Sequence, residues 1–255
     1  MVKGNMQTSY FTPRSWSAVF SAAIDSANYS IYTSWEGKAQ IQQKTDHYYL
    51  IVPGTGKQFN FTVLFIPHQI IPVPFKFQDD LKISSSQWKK FWTSGGAVDF
   101  SGTKDPRAFE IERRTVLSQY LTQIQCSSAY PPQETGLTYN SWYGKPHLEM
   151  HWWHAVHYAQ WGRVELMEKS LDWYFSVAAK AYAIAKRQGF DGLRWQKMTD
   201  HNGDEAPSSV GAFLIWQQPH FIYMAELLYR AKPGKEVLNK YKDLLFATAD
   251  FMASF

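Results

Sequence analysis

Residues 30–71 cluster Tyr, Ile, Val, Thr and Phe in short apolar runs split by polar turn residues, the signature of strands. The clearest runs are SIYTSW, HYYLIV and FNFTVLFI. The PGTG break at residues 53–56 separates the last two and predicts a hairpin between them. An antiparallel β portion is therefore expected. Over residues 72–105 this pattern fades into Pro, Ser and Gly around a short apolar stretch near Trp88 and Trp92, which reads as a connecting segment.

A change of period follows. Pro106 suits a first helical turn and Asp105 suits its N-cap, and the remaining chain is patterned for helices over residues 106–126, 146–161, 164–188 and 211–231, with a last helix from 235 still running at 255. In the first, Ile111, Val116, Leu117, Tyr120, Leu121 and Ile124 form one apolar face. In the third, Leu166, Leu171, Trp173, Tyr174, Val177, Ala178, Ala181 and Ile184 are expected inward. Gly162, Gly189 and Pro233–Gly234 are the stop signals. Such short breaks make successive helices antiparallel neighbours. The longer polar loops at residues 130–146 and 190–209 then share one rim. A helix in progress at Phe255 with only about five counted leaves apolar flanks open, so the chain reads as a C-terminally truncated fragment.

Composition narrows the function. The 45% hydrophobic and 19% charged fractions are those of a globular protein. The aromatic fraction of 17%, with 11 Trp, is high. With 26 Lys plus Arg against 22 Asp plus Glu, the net charge of +4 is too small and too scattered to argue for nucleic acid or an anionic membrane. The single cysteine, Cys126, reads as a buried small hydrophobe at a helix end. No basic-then-apolar leader opens the chain and no window approaches 18 unbroken apolar residues, so it reads as soluble, with a periplasmic or extracellular site open if a signal precedes it. Homo-oligomerisation is also left open, and no cofactor is implied.

Candidate chemistry concentrates on the rim. The run QETGLTYNSWYGKPHLEMHWWHAVH mixes rings with carboxylates, amides and imidazoles. Indole faces stack on the C–H faces of a pyranose while carboxylates and amides take its hydroxyls, so an oligosaccharide or glycoside is the expected ligand. Glu134, Tyr139, Asn140, Trp142, His147, His151 and Trp152 are its candidate contacts. Glu149 follows the loop directly, one turn from Trp152. A zinc helix would need His and Glu adjacent with a second His at i+4, a spacing absent here, so no metal site is expected. A second loop supplies Arg194, Trp195, Lys197 and Glu205, with Asp200 and Asp204 reading as solvated. A third stretch, LIWQQPH, supplies Trp216, Gln217, Gln218 and His220. There Pro219 interrupts the helix, and the two amides either face the rim or bond a neighbouring loop's backbone. Glu149 and Glu205 are the catalytic candidates, read as hydroxyl ligands ahead of a general acid.

The succession GGAVDFSG, QETGLTYNSWYGKPHLEMHWWH, GFDGLRWQKMTDHNGDEAPSS, IWQQPH and AELLYR resembles the six-hairpin (α/α)6-barrel glycosidases related to glycoside hydrolase family 65, over roughly residues 88–255. The resemblance implies an α+β multidomain chain. An antiparallel β-sandwich-like portion would occupy residues 1–75, a linker 76–105, and the helical hairpins of an incomplete (α/α)6 toroid 106–255. It places His147 at the histidine opening the sugar-binding helix, and Arg194, Trp195, Lys197, Gln217, Gln218 and His220 on rim segments. Met150 and His151 fall where family 65 phosphorylases carry Trp and Asp, which weakens phosphorolysis. The family's general acid is a Glu on a later hairpin, outside this chain. The implied activity is glycosidic-bond cleavage by inverting acid/base chemistry. Two other readings stay open: a non-catalytic sugar-binding protein, and a polysaccharide lyase using Tyr139, His151, Arg194 and Asn140.

Overall fold

The computed structural model describes residues 6–24, 27–67, 76–208 and 210–255. The expected β residues 68–71 and the first part of the connecting segment, 72–75, lie outside them. The described chain holds an antiparallel β portion and six α-helices, and it divides into two compact units, residues 1–91 and 92–255.

The first unit contains β1 (Met6–Arg14), β2 (Ser17–Ile24), β3 (Ala27–Trp35), β4 (Ala39–Thr45), β5 (Tyr48–Pro53) and β6 (Phe61–Pro67). One sheet has the order β1-β2-β3-β6, and β4 pairs with β5 in a second. Register puts Ala18 opposite Thr33 and Phe20 opposite Ile31, so these side chains share one face. Ala18, Phe20 and Trp35 on that face pack with Ile41, Tyr49 and Ile51 of the smaller sheet. The hairpin expected across residues 53–56 does not form. β5 returns onto β4, and β6 pairs with β3 from Tyr29 opposite Pro67 to Trp35 opposite Phe61. The PGTG stretch instead begins the crossing between sheets, its Gly54 N–H bonded to Lys38 O at 2.8 Å. Strand formation also begins earlier than expected, at Met6.

The connecting segment carries a helix, α1 (Phe77–Thr93). Asp79 and Asp80 in its first turn and Lys90 in its last complement the helix dipole. Leu81, Trp88, Phe91 and Trp92 fall at helical spacing along it, and only Phe91 is buried.

The second unit is helical: α2 (Ala108–Cys126), α3 (Leu148–Gln160), α4 (Val164–Gln188), α5 (His220–Ala231) and α6 (Lys235–Ser254). α2 starts two residues after Pro106, with Asp105 Oδ1 accepting from the Arg107 N–H. Its apolar face lies open: Ile111, Val116, Leu117, Tyr120, Leu121 and Ile124 are all exposed, and α2 buries Gln119 and Cys126. Burial pushes the Cys126 thiol up to about 11, which keeps it unreactive.

α3 and α4 form a hairpin around Gly162 (φ +67°), and α4 ends at Gly189 in the left-handed region, its N–H on Ala185 O and Lys186 O. α5 begins at His220 rather than near 211. Pro219 has no N–H and its ring blocks an incoming helical turn, so residues 211–218 stay in turns. α3 packs on α4 and α5, and α5 on α6. Leu148, Tyr158, Met167, Leu171, Phe221, Met224 and Leu228 fill the centre with almost no exposure. Among the described residues no helix is long and apolar enough to cross a membrane.

Candidate functional site

The site is built where the loop of residues 190–199 runs against the N-terminus of α3. Leu148 N–H donates to Lys197 O at 2.9 Å, and His147 forms an antiparallel bridge with Met198. His147 N–H donates to Pro132 O at 3.0 Å, so a second loop is pinned to the same point. Backbone bonding thus brings together residues some fifty positions apart in sequence.

Five of the expected residues converge there. Lys197 Nζ lies 3.0 Å from Glu149 Oε2 and 4.8 Å from the centre of the Trp142 ring. His147 Nε2 lies 3.1 Å from the same carboxylate oxygen, and the Trp142 and His147 rings are 6.4 Å apart. Glu134 reaches to 3.9 Å from His147 Nδ1. Lys197 and His147 are buried, Glu149 keeps a partly open edge with 22% of its side chain exposed, and the Trp142 plane is half exposed.

Electrostatics fix the roles. Burial alone raises the Glu149 carboxyl, but hydrogen bonds from His147 and Lys197 and the Lys197 charge outweigh it and hold the group below its ordinary range. Glu149 is an anion at neutral pH, assisted by the first turn of α3. For His147 desolvation wins over the two carboxylates and lowers its pKa. The imidazole is therefore neutral, and donating from Nε2 to Glu149 leaves Nδ1 as an acceptor. Among the described residues His147 Nδ1 and Glu134 Oε2 are both buried without a hydrogen-bond partner.

The loop before α3 is held under backbone strain. Among the described residues Trp142 (φ +50°) and Tyr143 (φ +63°) are the two non-glycine residues of positive φ, and they are consecutive. Each costs about 1–2 kcal/mol relative to ordinary backbone. Observed strain of this kind motivates a functional reading, because surrounding bonds must over-determine it. They do: His154 Nε2 donates to Glu134 O at 2.8 Å, Leu137 N–H to Gln125 Oε1 at 2.5 Å, and Lys145 Nζ to Pro207 O at 2.7 Å. The result is a rim of outward rings, Tyr139, Trp142 and Tyr143, with Tyr143 at 87% exposure. Asn140 lines a groove of about 630 Å3 beside this loop, with Tyr130, Pro131, Gln133, Gly144 and His201.

Other expected contacts are elsewhere. His151 is fully enclosed, Nδ1 on Tyr174 OH at 3.0 Å and Nε2 on Ser170 Oγ at 2.8 Å, so it belongs to the core. Trp195 is buried with its indole N–H on Thr248 Oγ1 at 2.9 Å, and it packs edge-on against Tyr174. Arg194 is buried, donating from Nη2 to Leu214 O at 2.5 Å with its guanidinium over Phe251. Gln217 donates to Trp195 O at 3.0 Å, while Gln218 accepts from Trp195 N–H at 2.9 Å and donates to Leu193 O. Of the two roles open to these amides, the backbone clamp is the one observed. The cavity touching Trp195 holds about 10 Å3, which is about one water.

Trp152 packs among Trp153, His220 and Tyr223, and His220 Nδ1 bonds Leu148 O at 3.1 Å. Trp216 is 56% exposed. Glu205 is held in an ion pair by Arg187, and Asp204 by Lys180. Tyr143 was missed by the sequence reading; its signal was an aromatic residue preceding Gly144 in a polar loop. Among the described residues no three His, Cys, Asp or Glu side chains are grouped to hold a metal ion.

No family model and no curated protein matches the chain. Its fold is similar to that of a solved structure described as a candidate kojibiose phosphorylase from the human microbiome, with a TM-score of 0.54 at 12% sequence identity. The match covers 99% of this chain and 37% of that one, so the chain spans little over a third of that protein's length. At this identity the likeness is one of fold alone.

Proposed function

We propose that this chain is part of a carbohydrate-active enzyme of the family 65 type, its helices belonging to an (α/α)6 toroid, and that Trp142, Lys197, Glu149, His147 and Glu134 form a saccharide subsite. One observation carries the reading: an indole plane lies within 4.8 Å of an ammonium that is itself bonded to a partly open carboxylate. Trp142 offers the stacking face, Glu149 accepts hydroxyl protons, and Lys197 donates to a ring or hydroxyl oxygen.

Glu149 is a hydroxyl ligand and not the acid. A general acid for glycosidic cleavage needs a carboxyl kept neutral by a raised pKa, whereas that of Glu149 is lowered. Glu205, bound to Arg187, is no better placed. The lyase reading is disfavoured because two of its four residues, His151 and Arg194, are buried in the core, away from the exposed Tyr139.

Calorimetric titration with kojibiose, maltose, cellobiose and lactose tests the subsite. Trp142→Ala and Glu149→Gln should each weaken binding about tenfold or more, in keeping with the loss of one stacking plane or one charged hydrogen bond. Equal affinity in both variants would refute the assignment. Sugar products followed with and without inorganic phosphate separate phosphorolysis from hydrolysis, and binding without turnover would give the non-catalytic reading.

A further inference from the structure

A second pocket, of about 350 Å3, lies within the first compact unit and is lined by Trp16, Trp35, Phe77, Glu36, Asn60 and Lys76. Its volume is within the range of small-ligand sites, about 300–1,000 Å3. The aromatic walls are fixed by the fold. Trp35 ends β3, is 6% exposed and packs into the sheet core, and its N–H donates to Trp16 O at 3.0 Å. Trp16, in the turn between β1 and β2, has the Arg14 guanidinium 5.2 Å from its ring.

The polar edge is ordered by a relay. Gln58 Nε2 donates to Asn60 Oδ1 at 2.9 Å, which forces the Asn60 amide nitrogen toward Glu36 Oε2, also at 2.9 Å. The Glu36 N–H donates to Asn60 O at 3.0 Å and locks the same pair through the backbone. A carboxylate is thus oriented before any ligand arrives, which lowers the ordering cost of binding. Lys76 shares the pocket with Glu36. The two charges are opposite across one cavity, so the lining is formally neutral and suits a neutral ligand with many hydroxyls. Indole faces beside an acceptor, an amide and an ammonium are the chemistry that recognises a sugar ring.

We propose that this pocket is a second saccharide-binding site, carried by the β unit and separate from the Glu149 cluster. Its ligand class is shared with the function proposed above, but its lining residues are independent of that site. The test is a titration of the full 15N-labelled chain with maltose, cellobiose, lactose and kojibiose, following indole N–H resonances assigned through Trp16→Phe, Trp35→Phe and Trp142→Phe. The expected result is movement of the Trp16 and Trp35 resonances by at least one sugar, with Glu36→Gln weakening that response about tenfold while the Trp142 response is unchanged. Movement of Trp142 alone would overturn the second site and leave the first. Movement of Trp16 and Trp35 alone would support the second site and remove the first, and movement of none would overturn both.

Discussion

Replacing Lys197 with Met keeps most of the side-chain volume and removes one charge from the centre of the proposed site. In the folded protein Lys197 Nζ is 3.0 Å from Glu149 Oε2, with 9% and 22% of the two side chains exposed. Removing one partner of a fully buried pair costs about 3–5 kcal/mol, whereas an exposed pair contributes about 1 kcal/mol or less. This pair is intermediate, and His147 still donates to the carboxylate, so about 2 kcal/mol is expected. Losing the cation from the Trp142 face adds about 0.5–1 kcal/mol. The sum, about 2–3 kcal/mol, should lower the melting temperature of the helical unit by roughly 5–10 °C.

A double-mutant cycle with Glu149→Gln isolates the pair from the lost methylenes. Coupling of about 1.5–2 kcal/mol is expected from thermal unfolding of the wild type, both single variants and the double variant at neutral pH. Coupling below about 0.5 kcal/mol would show two independent side chains and refute the reasoning. The pH dependence gives a second check. Because the folded Glu149 pKa is lowered, its contribution is present above the unfolded value of about 4.3 and is lost as pH falls through the folded one. Lys197→Met should shrink that acid-side loss.

Three more outcomes follow from the same geometry. Burial pushes His151 down to about 3 and His154 down to about 4. The unfolded chain therefore binds more protons than the folded one below about pH 6.5, so stability should fall by several kcal/mol on acidification from pH 7 toward 4, measured by urea midpoints. His151→Gln should flatten that limb. Gly192 has φ +67°, and an added Cβ would lie 2.0 Å from Ala247 O; Gly192→Ala should cost more than about 3 kcal/mol by calorimetry, because the loop docks on α6 there. Tyr143→Gly should relieve left-handed strain, raising stability by up to about 1 kcal/mol after the entropy of the added glycine while sugar affinity drops. A loss of both stability and affinity would contradict the strain assignment.

The sequence carried the helices best where punctuation was local. Gly162 and Gly189 adopt the positive φ that stopped α3 and α4 where periodicity placed the ends. Pairing was less legible because it is non-local: β5 and β6 lie on either side of a turn signal yet choose β4 and β3. The α2 stripe was legible as an apolar face, but periodicity does not report what covers it, and in the structure it is exposed. For the site, residue type marked Glu149, Trp142 and Lys197, but their meeting depends on the His147–Met198 bridge, which no local pattern encodes. Trp195, Gln217 and Gln218 carry the same residue chemistry as a sugar rim. They instead clamp a loop, because buried backbone groups need partners as much as a ligand does.

Crystals grown with a bound disaccharide from the titration panel test the central claim most directly. The expected density is a sugar ring stacked on Trp142 with one hydroxyl on the Glu149 carboxylate and an oxygen on Lys197 Nζ. A sugar bound at neither Trp142 nor Glu149, with the Lys197–Glu149 contact still closed to solvent, would contradict it.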